Sequence, residues 1–355
     1  MPEPETPLGL AMIGTGMVAR THLLAIRDAR PRPRLVGVLS RSTGRARAFA
    51  AEATEVLGAG VDTFSDVNAI AADPRVDCAL ILTPPDARLS LIRPLADAGK
   101  AILLEKPVGR TLAEAEEVVA FCEAAGVPLG IVFQHRVREA SRAAADLVSD
   151  GALGALGLAE IAVPWWRAQA YYDEPGRGTY ARDGGGVLMS QAIHTIDLAL
   201  SLTGPVESVT AMTATTRFHR MEAEDVAVAG LRFVGGAAGW LTASTASFPG
   251  RSESIVLHYE KASLRLAEGV LEVSWRDGRV ERHGATATTG GGADPMAFTH
   301  DWHRSVLEDF ARALHEGRPP AITGRAALDA HRLIDAMTRS AQAGRRVNLI
   351  EDKQT

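Results

Sequence analysis

The segment Leu8-Gly9-Leu10-Ala11-Met12-Ile13-Gly14-Thr15-Gly16-Met17-Val18-Ala19 constrains this chain more than any other. A short apolar run ends in Gly-x-Gly-x-x-Ala and passes into a helical pattern through Ala29, which reads as the strand, tight turn and helix start of a dinucleotide-binding unit. Gly14 permits the turn. Gly16 puts no side chain where a pyrophosphate would meet the first helical N–H groups, those of Met17 and Val18 among them, and Ala19 is small enough for the helix to pack closely on the strand. Taken alone, the same residues also fit a Gly-rich turn in any α/β protein.

At about 100–200 residues per domain, 355 residues predict two domains, and the texture changes near Pro128. Up to Val127 apolar runs at 35–39, 77–82 and 101–104 alternate with helical patterns at 45–53, 87–98 and 111–125, as in a doubly wound parallel sheet. Beyond it, eight runs (157–166, 206–217, 225–233, 237–243, 254–259, 263–266, 270–275 and 279–283) alternate in polarity between Gly and Asp turns. They predict a large, mainly antiparallel open sheet, followed by helices at 299–316 and 324–343. The fold class is therefore α/β, with residues 1–127 as the dinucleotide-binding domain and 128–355 as a substrate-binding and oligomerisation domain. A wide single-layer sheet must cover its second face, so a homodimer or homotetramer is expected. The acidic, Pro-rich start 1–7 reads as a loose tail, and 284–293 as a mobile Gly-rich loop.

A net charge of −5 and a pI near 6.1 remove the electrostatic reason to expect nucleic acid. A mean hydropathy of +0.01 and the lack of an apolar run near 18 residues argue against a membrane span, and a cytoplasmic location is the default. Cys78 and Cys122 read as buried small hydrophobes, and no Cys/His spacing suggests a metal.

Two further segments carry chemistry. Leu104-Glu105-Lys106-Pro107 closes an early strand at the sheet edge where ligands gather, so Lys106 is placed to reach one, and Pro107 permits a cis bond before it; an exposed loop lysine is the alternative. Asp183-Gly184-Gly185-Gly186 leads into a helix on which Ser190, His194 and Asp197 fall at i, i+4 and i+7 on one face. The three glycines suggest that something approaches the backbone closely, whereas the bland alternative is a solvated stripe with a His194–Asp197 pair.

Gly14-x-Gly16-x-x-Ala19, Thr83-Pro84, Glu105-Lys106-Pro107 and Gly184-Gly185-Gly186 with His194-x-x-Asp197 together resemble the Gfo/Idh/MocA family of NAD(P)-dependent sugar and cyclitol oxidoreductases, over nearly the whole chain. The resemblance implies a hydride passed between nicotinamide and a carbinol carbon. It makes Lys106 and His194 the catalytic lysine and histidine, and Thr83, Pro84, Glu105 and Lys106 cofactor contacts. Ser190 stands where many relatives carry an Asp, with Asp197 a possible substitute. Thr83-Pro84-Pro85 and Arg88 also depart from the usual pattern and put one cofactor amide contact in question. The second strand ends in Ser40-Arg41 without the acid that would meet a ribose 2′-OH, which favours NADP(H), with NAD(H) possible. Arg136 matches a position near the active site. Trp166, Arg167, Tyr172 and Arg177 crowd one loop in a chain only 5% aromatic and suit a small carbohydrate substrate. The same scaffold also suits an NAD-dependent glycoside hydrolase or a non-catalytic cofactor sensor; retention of Lys106 and His194 counts against the sensor.

Overall fold

The first apolar run forms strand β1 (Gly9–Ile13), buried throughout, and helix α1 (Ala19–Asp28) buries His22, Leu23, Ala25 and Ile26 along one stripe. The computed structural model describes residues 7–287 and 298–350, so most of the 1–7 tail and residues 288–293 of the Gly-rich run lie outside the described residues. Further βα units follow: β2 (Arg34–Leu39), α2 (Thr43–Leu57), β3 (Asp62–Thr63), α3 (Val67–Ala72), β4 (Cys78–Ile81), α4 (Arg88–Asp97), β5 (Ala101–Glu105), α5 (Leu112–Ala124) and β6 (Leu129–Val132). The six strands are parallel in the order β3-β2-β1-β4-β5-β6. Strand order reverses between β1 and β4, the switch point where doubly wound sheets bind ligands beyond the strand ends. Large side chains such as Met12, Leu80, Ile81 and Ile92 are fully buried here, each worth about 1.5–3 kcal/mol.

The predicted boundary at Val127 differs from the observed division. The first compact unit takes Met1–Gly109, Ala113–Gln134 and Thr299–Leu328, and the second takes Arg110–Leu112, His135–Phe298 and Asp329–Thr355. Leu129-Gly130-Ile131-Val132 is a continuous apolar run, the pattern of a parallel strand covered on both faces, and it pairs with β5.

The second unit is built on a nine-stranded sheet. It contains α6 (Glu139–Ser149), β7 (Leu156–Pro164), the short helices α7 (Gln169–Tyr172) and α8 (Tyr180–Asp183), α9 (Ile193–Thr203), β8 (Val206–Ala214), β9 (Val226–Phe233) and β10 (Ala238–Ser244). It continues with β11 (Ser254–Tyr259), β12 (Ala262–Ala267), β13 (Val270–Trp275) and β14 (Val280–Gly284). Helix α10 (Asp301–Glu316) returns to the first unit, where Val306, Leu307, Phe310, Ala311 and Ala313 bury a helical stripe, and it packs on α1, β5 and β6. Helix α11 (Gly324–Ala343) and β15 (Val347–Asn348) close the chain. Strand order is β14-β13-β12-β11-β7-β10-β9-β8-β15, and β7 with β10 is its one parallel pair among the described residues. Alternating burial, as in β9, turns one face onto α6 and α9 and leaves Met212, Val228 and Trp240 exposed on the other.

Candidate active site

In the first unit, the turn after β1 is shaped by its neighbours. Gly14 has φ +109°, in the left-handed region, and a Cβ there would press on Leu82 and Thr83 at 3.2–3.3 Å. A Cβ on Gly16 would meet nothing within 4 Å, so the space over that position is open. Helix α1 begins after Val18 with no side-chain cap, so its first N–H groups have no capping partner from a side chain. Thr83 Oγ1, beyond β4, is buried and without a partner among the described residues. A dinucleotide pyrophosphate fits this arrangement of open backbone, helix N-terminus and switch point. Ser40 accepts a 3.1 Å hydrogen bond from Thr15 Oγ1, and Arg41 is exposed beyond the end of β2.

Lys106 follows β5 and is joined to Pro107 by a cis bond. Its N–H donates to Glu105 Oε2 at 3.1 Å, and its carbonyl accepts from Arg88 Nη2 at 3.2 Å. Glu105 Oε1 also meets His22 Nε2 at 2.9 Å, with His303 Nε2 at 3.8 Å. Burial works to raise Glu105, but the His22 hydrogen bond and the charges of His22, His303 and Lys106 outweigh it and hold the carboxyl below its usual range. Glu105, read as a cofactor contact, is thus a buried anchor. His22, Glu105 and His303 present ligand-type atoms all within 4.8 Å. The 2.9 Å separation is that of a hydrogen bond, shorter than the roughly 3.3 Å edge of a tetrahedral site with 2.0–2.1 Å bonds.

In the second unit, the glycines ahead of His194 answer to the protein's own chain. A Cβ on Gly184 would lie 2.3 Å from the Arg110 carbonyl oxygen, and one on Gly186 would lie 1.8 Å from that of Glu224. The Glu224 carboxylate accepts from the N–H groups of Gly186 and Leu188, both at 3.0 Å, and so fastens the helix entry. A π turn, Leu188–Ala192, then carries half-buried Ser190 and delivers His194 to the first turn of α9. The His194 ring stacks on His135, with centroids 4.9 Å apart and planes inclined by 20°. Beside His135, a cavity of about 20 Å³ is lined by Arg138, Glu253 and Thr195, room for one water.

Asp197 does not pair with His194. Arg136 Nε and Nη2 donate to its two oxygens at 2.6 and 2.5 Å. Full burial pushes the Asp197 carboxyl up to about 6 against the pull of Arg136. The alternative of a solvated stripe does not hold here, because Asp197 is 1% exposed.

Tyr172, expected on the substrate, is buried; its hydroxyl bonds Thr245 Oγ1 at 2.6 Å and its ring packs on His219. Arg167 is also buried, beneath the rings of Trp165 and Tyr171, with its carbonyl accepting from His219 Nε2. Arg177 is paired with Glu174 and lies over the Tyr171 ring. Trp166 is half-buried among Phe218, His219 and the exposed Phe248. The structure therefore spends most of this loop on packing. Sequence reasoning missed His22, His303, His135 and Glu224; the Gly184–Gly186 run was the one local signal of a close backbone neighbour.

Two sequence profiles match in tandem: residues 8–133 fit an oxidoreductase family with an NAD-binding Rossmann fold, and residues 141–265 fit the GFO/IDH/MocA C-terminal domain. A D-apiose dehydrogenase of Paraburkholderia graminis is 30% identical over 353 residues, which span 96% of this chain and 89% of that enzyme. The chain belongs to the Gfo/Idh/MocA family. It is an oxidoreductase with an NAD-binding Rossmann unit. An inositol 2-dehydrogenase of Rhizobium meliloti is 26% identical, covering 95% of this chain and 98% of the relative. Among solved structures, the WlbA dehydrogenase of Bordetella pertussis, in complex with NADH and UDP-GlcNAcA, superposes with a TM-score of 0.81 at 29% identity, covering 98% of this chain and all of the other. Among the described residues, no helix is long and apolar enough to cross a membrane.

Proposed function

We propose that the protein oxidises a secondary alcohol of a neutral sugar or cyclitol, or reduces the matching ketone, with Lys106 and His194 as its catalytic pair. The observation that carries the reading is the open backbone at Gly16, over an uncapped helix start at the β1/β4 switch point, in the same unit as a clamped Lys106. Bound nicotinamide supplies a hydride acceptor. The His194 imidazole takes the hydroxyl proton near neutral pH as the carbon loses hydride. The Lys106 ammonium stabilises the developing alkoxide.

A neutral substrate is favoured because Arg136 and Arg177 already hold Asp197 and Glu174, which leaves their charge matched inside the protein. Two of its relatives are named D-apiose dehydrogenase and inositol 2-dehydrogenase, after an uncharged sugar and an uncharged cyclitol, in keeping with this reading. NADP(H) is favoured over NAD(H), because Ser40-Arg41 brings a hydroxyl and a cation and no carboxylate to the end of β2. A homodimer or homotetramer is proposed through the sheet face that exposes Met212, Val228 and Trp240, and light scattering of Trp240→Lys against wild type checks it. The buried, unpaired thiols of Cys78 and Cys122 support a cytoplasmic site.

A panel of neutral sugars, cyclitols and uronates, offered with each cofactor and followed at the nicotinamide absorbance band, tests the reading. Oxidation of a neutral member is expected, with Lys106→Ala and His194→Ala each about 10²–10⁴ slower and cofactor affinity within a few-fold. Turnover confined to uronates, or a His194→Ala enzyme with full activity, would overturn it.

A further inference from the structure

Arg88, which departs from the family pattern, has a clear structural task. It opens α4, is 2% exposed, and donates from Nε and Nη2 to the Thr83 carbonyl at 3.2 and 2.9 Å. Its Nη2 also reaches the Lys106 carbonyl at 3.2 Å, while the Lys106 N–H is held by Glu105. Both peptide groups flanking the Lys106 Cα are thus held by buried ionisable side chains. Pinning both fixes φ and ψ, and with them the direction in which the lysine side chain leaves the backbone.

Packing alone does not call for a cation in this place. A buried guanidinium is costly unless fully engaged, and burial lowers the Arg88 pKa to about 9 despite the attraction of Glu105. An uncharged side chain would fill the space without that cost. What the guanidinium adds is an Nη2 whose two N–H groups reach the carbonyls of Thr83 and Lys106 on different loops, while the coplanar Nε donates again to Thr83 and fixes the plane of the group.

We propose that Arg88 is the positioning residue for Lys106, locking the loop after β4 to the loop after β5 so that the lysine keeps one orientation. The proposal rests on the reading of Lys106 as a catalytic group. Arg88 acts through the two carbonyls it holds.

The chain has four lysines, Lys100, Lys106, Lys261 and Lys353, so ¹⁵N-lysine labelling gives a sparse amide spectrum in which Lys106→Arg assigns the Lys106 signal. In Arg88→Met, which keeps the length and removes the donors, the Lys106 amide resonance should shift while those of Lys100 and Lys261 stay. With an alcohol from the panel above, kcat should fall about 10- to 100-fold, the scale of a small misplacement of a reacting group, while KM stays within about threefold. If Arg88→Met does not fold, Arg88→Lys, which keeps the cation but loses the second donor to Thr83 and the planar group that aims Nη2, should show the same shift with a smaller fall in kcat. An unmoved Lys106 resonance, or a kcat per folded molecule within twofold of wild type with only Tm reduced, would overturn the proposal. The two readings fail separately: full turnover by Lys106→Ala removes the catalytic lysine, and the labelled spectrum still reports whether Arg88 holds its backbone.

Discussion

The carboxylate of Asp197 is committed to Arg136 and not to His194, though His194 lies less than one helical turn away. Two hydrogen bonds of 2.5 and 2.6 Å tie the pair, and Asp197 is 1% exposed. Asp197 therefore does not take the place of the acid that Ser190 replaces. The His194 ring instead stacks on that of His135.

Removing Arg136 should be a stability defect with a definite pH dependence. Folding raises the Asp197 pKa to about 6 from 3.8, so the folded state takes up a proton between about pH 4 and 6, and this group's contribution to stability declines as the pH rises through that window. Arg136→Met leaves the carboxylate unpaired and extends the decline upward. We expect a loss of about 3–5 kcal/mol near pH 8 and clearly less at pH 5.5, where Asp197 can stay neutral. Thermal melts at the two pH values check it, and equal losses would show that Asp197 is not the partner that matters.

Glu105→Gln tests the buried anchor beneath Lys106. The folded carboxyl lies below its ordinary value of 4.5, so its stabilisation is fully present above pH 4.5 and is lost as the pH falls through the folded value. The variant should lose about 1–3 kcal/mol at neutral pH and be less sensitive to acid than wild type below pH 4.5. Urea midpoints across that range measure both effects.

Arg41→Ala reports on cofactor choice. Arg41 is exposed and has no packing role, so a 2′-phosphate contact would show as a weakening of NADP binding by tenfold or so, about 1.4 kcal/mol, with NAD unchanged. Equal affinities of the variant and wild type for NADP, measured by titration, would assign Arg41 to solvent.

Tyr172→Phe separates packing from substrate contact. The buried hydroxyl bonds Thr245, so its removal should cost about 1 kcal/mol and lower Tm by about 2–4 °C while KM holds. A raised KM with unchanged Tm would return Tyr172 to the substrate.

What the sequence disclosed was local. Gly14, Gly16 and the Glu105-Lys106-Pro107 strand end are each read within a few residues, and the strand and helix periods are sums over neighbours, so both sheets were legible. What it hid was made by distant partners. His303 meets Glu105 only because α10 returns to the first unit, and Arg136 finds Asp197 across 61 residues. The π turn at Leu188–Ala192 breaks the 3.6-residue spacing by which Ser190 and His194 were placed on one face. Likewise the glycines at 184 and 186 signalled a close approach, but nothing local identified the visitor as the Glu224 strand lead-in rather than a ligand.

The return of α10 also bears on how the protein is made. On the ribosome, β1 through β6 emerge early, yet the helix that covers α1, β5 and β6 begins at Asp301, after the whole nine-stranded sheet except its last edge strand. The nascent Rossmann half must therefore wait, with that apolar surface uncovered, for most of translation, and a chain stalled shortly before residue 299 would expose it to chaperones or to neighbouring chains.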